Sequence, residues 1–599
     1  MSFDELPEPI PASKPYYDLG NLTRPASTDS YDALEWFNRG LRWVYGFNHA
    51  AAAQCFEQAL AHDKECVAAY WGLAYASGPN YNKPWEVFDE ADIKRTVAKC
   101  HWAVEEGLKR RDSGVSVVEV ALLEAIGKRF PTDRDTRTHQ EWNVAYADAM
   151  VEVYAKFKDD VDVAALTADA LMNLTPWALW DISTGQPAKK SRTVEVKEIL
   201  DTALATPAGH NHIGLLHLYI HYIEMSPTPE LGLVPGDRLR KLSPDGGHLT
   251  HMPSHIDVLV GEYRRAIASN WEAVVADEKY RKESGDLAFY TFYRLHDYHT
   301  IVYAAMHCGQ FFEAIRAVDG MENSLVPEVL RVESPPMADW LEYFLSVRPH
   351  VLVRFGKWDE ILATPLPEDQ HLYCTLTATL HYAKGIACAV TGKIPEAREQ
   401  QRLYEDAIKR VPASRMMYPN TCHDILAVGE PMLEGEIAYR LGDYTSAFEA
   451  LREAVKLYDN LVYAEPWGWM QPIRHALAAL LLEQHQVEEA TSVYAEDLGI
   501  SGTLPRACQH PGNVWALHGY HECLRRLGKE RSREANVIQK QLAVALAIVD
   551  VKVESSCYCV TSSTKKTKAT SNSNGVADTD GHVDGEVHGD NDVSTCCKA

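Results

Sequence analysis

Positive charge is in short supply. The 599 residues carry 59 Lys and Arg against 84 Asp and Glu, a formal net charge of −25. Nucleic acid needs a basic surface and an anionic membrane repels an acidic one, so neither is expected as a partner. Long apolar runs are missing too: none approaches the roughly 18 to 20 residues of a transmembrane segment. Residues 1–15 hold acidic residues and four prolines but no apolar signal-peptide core. The expected compartment is therefore cytoplasmic. Thirteen cysteines are too thinly spread for a disulfide framework. Nine fall in helical segments, where a reduced thiol packs as a small hydrophobe. Cys557, Cys559, Cys596 and Cys597 fall in the tail.

Several chemistries lack their signatures. There is no Gly-x-Gly-x-x-Gly after a strand, no phosphate-binding loop and no Cys-x-x-Cys pair with zinc spacing. His-Glu-x-x-His and Gly-x-Ser-x-Gly are absent as well. No run of alternating residues suggests a sheet.

What is present is helical period. Trp36, Gly40, Trp43, Ala52, Phe56 and Ala59 follow the spacing of the 34-residue tetratricopeptide repeat (TPR), with a turn at Asp63-Lys64. The small residues let two antiparallel helices approach, and the aromatics fill the groove between them. The spacing recurs with Ala266 and Ala273 after Gly261, with Gly385 and Ala397, with Gly435, Ala447, Leu451 and Ala454, and with Ala478 and Ala490. One helix pair cannot bury its apolar face alone, so repeats must stack. The expected fold is all-α, an α-solenoid over residues 31–550. It is preceded by a mobile lead-in (1–30) and followed by a disordered, low-complexity tail (551–599) rich in Ser, Thr, Asp, Gly and Asn. The last four residues resemble a prenylation box only formally, because Lys598 is a poor fit at its third position.

Histidine is concentrated. Residues 210–299 hold nine of the 25 histidines, where an even spread would put about four. On a helix over 215–225, His217, His221 and Glu224 share one face, a three-point N,N,O arrangement suited to zinc or non-haem iron. His248, His251 and His255 crowd around Pro253, which makes this stretch either a kinked helix or a turn feeding the next helix. His296 and His299 open a later helix, as further ligands, hydrogen-bond donors behind a ligand, or surface histidines. Trp467 and Arg474 sit in Ala464–Arg474, a segment able to recognise a substrate or merely to wedge a repeat junction. Pro176-Trp177 has the same two readings.

The segments Trp43–Asn82, Pro176-Trp177, His217–Ser226, Gly247–Ile256, Leu433–Ala438, Tyr463–Arg474 and Trp515–Gly519 resemble a family of large TPR proteins found in bacteria, fungi and algae. The resemblance covers roughly residues 30–550. His-x3-His-x2-Glu and His-x2-His-Met-Pro-x-His look like the family's signature, and both are intact here. The family implies no particular reaction.

The expectation drawn from the residues is a metal-dependent enzyme. Iron, copper or zinc would be held by His217, His221, Glu224, His248, His251 and His255, with Glu224 as ligand or general base. An oxidoreductase acting on a small organic substrate leads, and a zinc hydrolase is the catalytic alternative. A non-catalytic adaptor binding a peptide or protein partner along its concave face competes with both, as does metal storage or sensing.

Overall fold

The structure is a computed structural model describing residues 3, 5–112, 114–130, 137–287 and 289–558. The chain is all-α. Among the described residues, strand structure is limited to two short antiparallel ladders, Trp180–Asp181 with Gln186–Pro187 and Met416–Met417 with Asn420–Thr421. No helix there is long and apolar enough to cross a membrane.

The expected helix pairs form at the expected places. Helices Tyr31–Tyr45 and His49–His62 are separated by a tight turn, with Asn48 capping the second by accepting from the Ala51 N–H at 3.1 Å. Phe56 lies fully buried between Gly40 and Gly72, where an added Cβ would come within 2.6 and 2.4 Å of its ring. Those two positions must therefore stay bare for the three helices to close on one aromatic side chain. Gly435 plays the same part against Leu451 at 2.7 Å. The turns at Gly261 and Gly442 take left-handed φ of 83° and 84°, a region glycine enters without steric cost.

The array does not stay open. The Trp515 indole donates to the Met306 carbonyl at 2.6 Å, and Arg506 donates to the Leu259 carbonyl at 2.9 Å. Trp177 reaches Glu465, 288 residues away in sequence. The N-terminal helices and the late repeats thus both fold back on the middle helices, Ile213–Ile223, Gly247–His251, Pro253–Val260 and Thr291–His307.

Both expected terminal boundaries need correcting. Residues 5–30 are not a mobile lead-in but a strap laid along the first helix pair. The Ile10, Ala12 and Leu22 carbonyls accept from Trp36, Arg39 and Arg42, each at 2.7 Å. Buried Arg24 pairs with Asp160 at 2.7 Å and Asp162 at 3.0 Å. Prolines suppress the helical period there without preventing an extended segment from docking by its carbonyls. At the other end, buried Ser556 donates to the His475 carbonyl at 2.9 Å, and Tyr558 packs on Trp515 with ring centroids 5.8 Å apart. The ordered body reaches Tyr558. Cys559, Cys596, Cys597 and the rest of the tail lie outside the described residues. The nine cysteines of the helical segments are buried free thiols.

If Phe56 holds three helices together, Phe56→Ala should cost roughly 3–5 kcal/mol, the range for emptying a buried aromatic site. Urea unfolding checks this, and a loss below about 1 kcal/mol would contradict that role.

Candidate metal centre

Helix Ile213–Ile223 begins at His212, whose Nδ1 accepts from the Leu215 N–H at 3.2 Å, and its apolar residues bury it on all sides. His217 and His221 lie one turn apart on it, and Glu224 is its C-cap. Gly247–His251 and Pro253–Val260 are two helical segments joined through Met252 at φ −48°, ψ −41°. Of the two forms open to the sequence, the kinked helix is the one adopted. Proline lacks the N–H that would continue the ladder, yet the chain keeps its helical course. Helix Thr291–His307 supplies His296.

These three elements divide six buried histidines into two triads. His217, His221 and His248 form one, and His251, His255 and His296 the other, with the candidate ligand atoms of each within 4.8 Å of one another. The triads are adjacent. Ring centroids of His221 and His255 are 5.5 Å apart, and those of His248 and His251 5.7 Å apart.

The outer nitrogens show which way the rings face. The His217 Nδ1–H donates to the Tyr45 carbonyl at 2.6 Å, and that of His251 to Asn270 Oδ1 at 2.6 Å. The Nδ1 atoms of His221 and His255 hydrogen-bond to the two oxygens of one carboxyl group, Glu224, at 2.8 and 2.7 Å. Fixing Nδ1 as donor leaves Nε2 as the lone-pair nitrogen, the usual arrangement behind a metal-bound imidazole. The Nε2 atoms of His217 and His221 are buried without a partner, as is Nδ1 of His248 and of His296. In the second triad the Nε2 atoms of His251 and His255 face each other at 2.7 Å. At that distance both nitrogens can bind one shared cation.

Burial keeps these rings neutral. It pushes His217 and His255 down to about 3, and His221, His248, His251 and His296 well below the ordinary 6.5. Burial also pushes the Glu224 carboxyl well above its usual range, against a weak opposing hydrogen bond from Tyr463 at 3.4 Å. Behind the second triad, Asp297 lies 3.3 Å from His251 Nδ1, and burial and Asp277 push its carboxyl up.

Glu224 therefore stands behind the histidines rather than among the ring nitrogens left free. A further grouping of His221, Glu224, His255 and Glu465 also meets the distance requirement. It shares His221 and His255 with the triads and includes Glu224 as a ligand. We favour the two triads, which leave the hydrogen bonds of Glu224 to His221 and His255 intact.

Of the other sequence candidates, His299 and Arg474 make their contacts outside the triads and Trp467 borders the second. His299 directs Nε2 at Met470 Sδ, 2.7 Å away. Trp467 lines a cavity with His255, Tyr463 and Glu465. Arg474 is bound to Asp459 at 2.6 and 2.9 Å and to Glu496 at 3.3 Å, so its fork is spent within the scaffold. Tyr45, Asn270 and Glu465 were missed as site residues. Glu465 lines a small cavity of about 30 Å³ with His296, Trp177, Trp340 and Tyr418. Its only sequence signal was its place two residues before Trp467.

No family model matches the chain, and no curated protein matches its sequence. Among solved structures, the crystal structure of yeast Tom70 aligns over 86% of this chain and 93% of its own, at 12% identity and a TM-score of 0.26. The resemblance to the histidine-bearing TPR family thus rests on the motifs themselves.

A histidine whose folded pKa is about 3 instead of 6.5 stays neutral where the unfolded chain takes up a proton. Each such residue supports the fold fully above pH 6.5 and progressively less as the pH falls towards 3. In metal-free protein the ring Cε1–H resonances of His217 and His255 should not titrate between about pH 7 and 4.5. NMR midpoints near 6.5 would contradict their desolvation.

Proposed function

We propose that the chain is a metal-dependent oxidoreductase whose six histidines hold two copper ions side by side, acting on a small organic substrate. The observation that carries this reading is the pairing of two three-histidine groups whose outer nitrogens are already anchored.

The donor set supports copper over iron. Non-haem iron sites commonly include a carboxylate ligand, and di-iron pairs in helical bundles use several. Here the carboxylate is engaged by two Nδ1–H groups. Neutral imidazoles suit copper, which also binds such donors most tightly among the divalent first-row metals. A copper pair supplies one-electron and dioxygen chemistry when bound.

The chain's own residues do the rest. Tyr45, Asn270 and Glu224 hold four rings in the tautomer that presents Nε2 inward. Burial keeps the imidazoles unprotonated and excludes bulk water. A small cavity of about 30 Å³ adjoins His296, so the second triad borders a space beyond its own ligands, which favours turnover over storage or sensing.

Zinc hydrolysis is the second reading, because three histidines with an open position are also a catalytic zinc set. The adaptor reading draws no support from the histidines. They are buried, not spread along an open concave face where a peptide would meet them.

Untagged full-length protein loaded with copper and desalted should retain two metal equivalents per chain. The double variants His217→Ala/His248→Ala and His251→Ala/His296→Ala should each retain one. Elemental analysis decides. Less than one equivalent in the wild type, or full retention in both variants, would overturn the reading. Two equivalents of zinc with no dioxygen uptake by copper-loaded protein would instead favour the hydrolase.

A further inference from the structure

Trp177 holds an unusual position for so large a residue. Its φ is +52°, a left-handed conformation that a bulky side chain seldom adopts. Its indole Nε1–H points between both oxygens of Glu465, at 3.0 and 3.2 Å. The ring stacks on Tyr81 at 5.0 Å and meets Tyr418 edge-on at 4.9 Å. Tyr81 in turn lies 4.8 Å from His221.

Trp177 also lines two cavities. One is the small space of about 30 Å³ that His296 and Glu465 line. The other is an open cavity of about 500 Å³, bounded by Trp177, Trp180, Tyr463 and Trp467. Thirty cubic ångström admits water but no ring, since a benzene-sized ligand needs about 150 Å³. With the indole in place, the space beside His296 is closed to organic molecules, and an aromatic N–H occupies the acceptor that faces it. Trp340 lines the same space, and its indole Nε1 is buried without an acceptor.

We propose that Trp177 is the placeholder in a binding site for a planar, uncharged aromatic molecule bearing a hydroxyl group. The molecule displaces the indole from Glu465 and lies beside His296, while Trp177 turns into the open cavity and leaves its strained conformation. A hydroxyl is both donor and acceptor, so it serves Glu465 and Trp340 together. An analogue without the donor would leave the Glu465 oxygens without the partner that the Trp177 N–H supplies, and sites built around a substrate hydroxyl reject such analogues strongly. The space has no cationic side chain to receive an anion. The inference rests on the proposed function only in taking this space as the place of reaction.

The test is calorimetric titration of the full-length chain, metal-free and copper-loaded, with 2-naphthol and with 2-methoxynaphthalene. The wild type should bind 2-naphthol at least ~10-fold more tightly than the ether in both forms. Glu465→Leu should erase that preference. Trp177→Phe keeps the ring but removes the competing N–H, so it should bind 2-naphthol at least ~3-fold more tightly than the wild type. Circular dichroism confirms that each variant is folded. Equal or undetectable binding of the two ligands by the wild type, a preference that survives Glu465→Leu, or unchanged binding by Trp177→Phe would overturn the proposal. Because metal-free protein is included, loss of the two-copper reading and loss of this site are separate outcomes.

Discussion

One buried carboxylate ties the candidate centre together. Glu224 bonds His221 with one oxygen and His255 with the other, and so joins two helices and two histidine triads. Few groups other than a carboxylate can do this, because two imidazole N–H donors need two acceptor oxygens at a fixed separation. A fully buried acid is costly unless it is paired. The two hydrogen bonds both relieve that cost and hold the imidazoles in a single tautomer.

The surrounding fold is arranged around that requirement. Helix Ile213–Ile223 ends at Glu224, which puts the carboxylate at the helix terminus, where it can reach across to His255. The bend at Pro253 keeps the second element helical while allowing His248 to face one triad and His251 and His255 the other. Phe47, at a left-handed φ of 56°, follows the helix end whose Tyr45 carbonyl anchors His217, and its ring lies 4.3 Å from that histidine. The late repeats fold back to bring Glu465 and Tyr463 against the same cluster. An open solenoid would leave these histidines at a groove surface. Closure makes them an interior.

Much of this was legible in the residues, at the level where local physics decides. Gly40, Phe56 and Gly435 disclosed the helix pairs because close approach demands small residues opposite large ones. His217, His221 and Glu224 disclosed a common helix face because a 3.6-residue period places them there. The division into two triads was not legible. His248 and His251 are three residues apart, a rise of about 4.5 Å along a helix axis. Which neighbour each meets depends on how the helices pack. Nor could the sequence single out the Tyr45 carbonyl, since every residue has one. Glu465 is brought in by closure of the array, and its role depends on a contact 288 residues long in sequence. The strap and the segment through Tyr558 escaped composition for a similar reason: short extended stretches dock by backbone carbonyls and a few anchors, which leave no periodic signal.

The most direct measurement is an anomalous diffraction map from crystals of the copper-loaded full-length protein, collected at the copper edge. Two peaks are expected, one within His217, His221 and His248 and one within His251, His255 and His296, with Glu224 outside both coordination spheres. A single peak among His221, His255, Glu224 and Glu465, or none within the histidine cluster, would contradict the two-site centre.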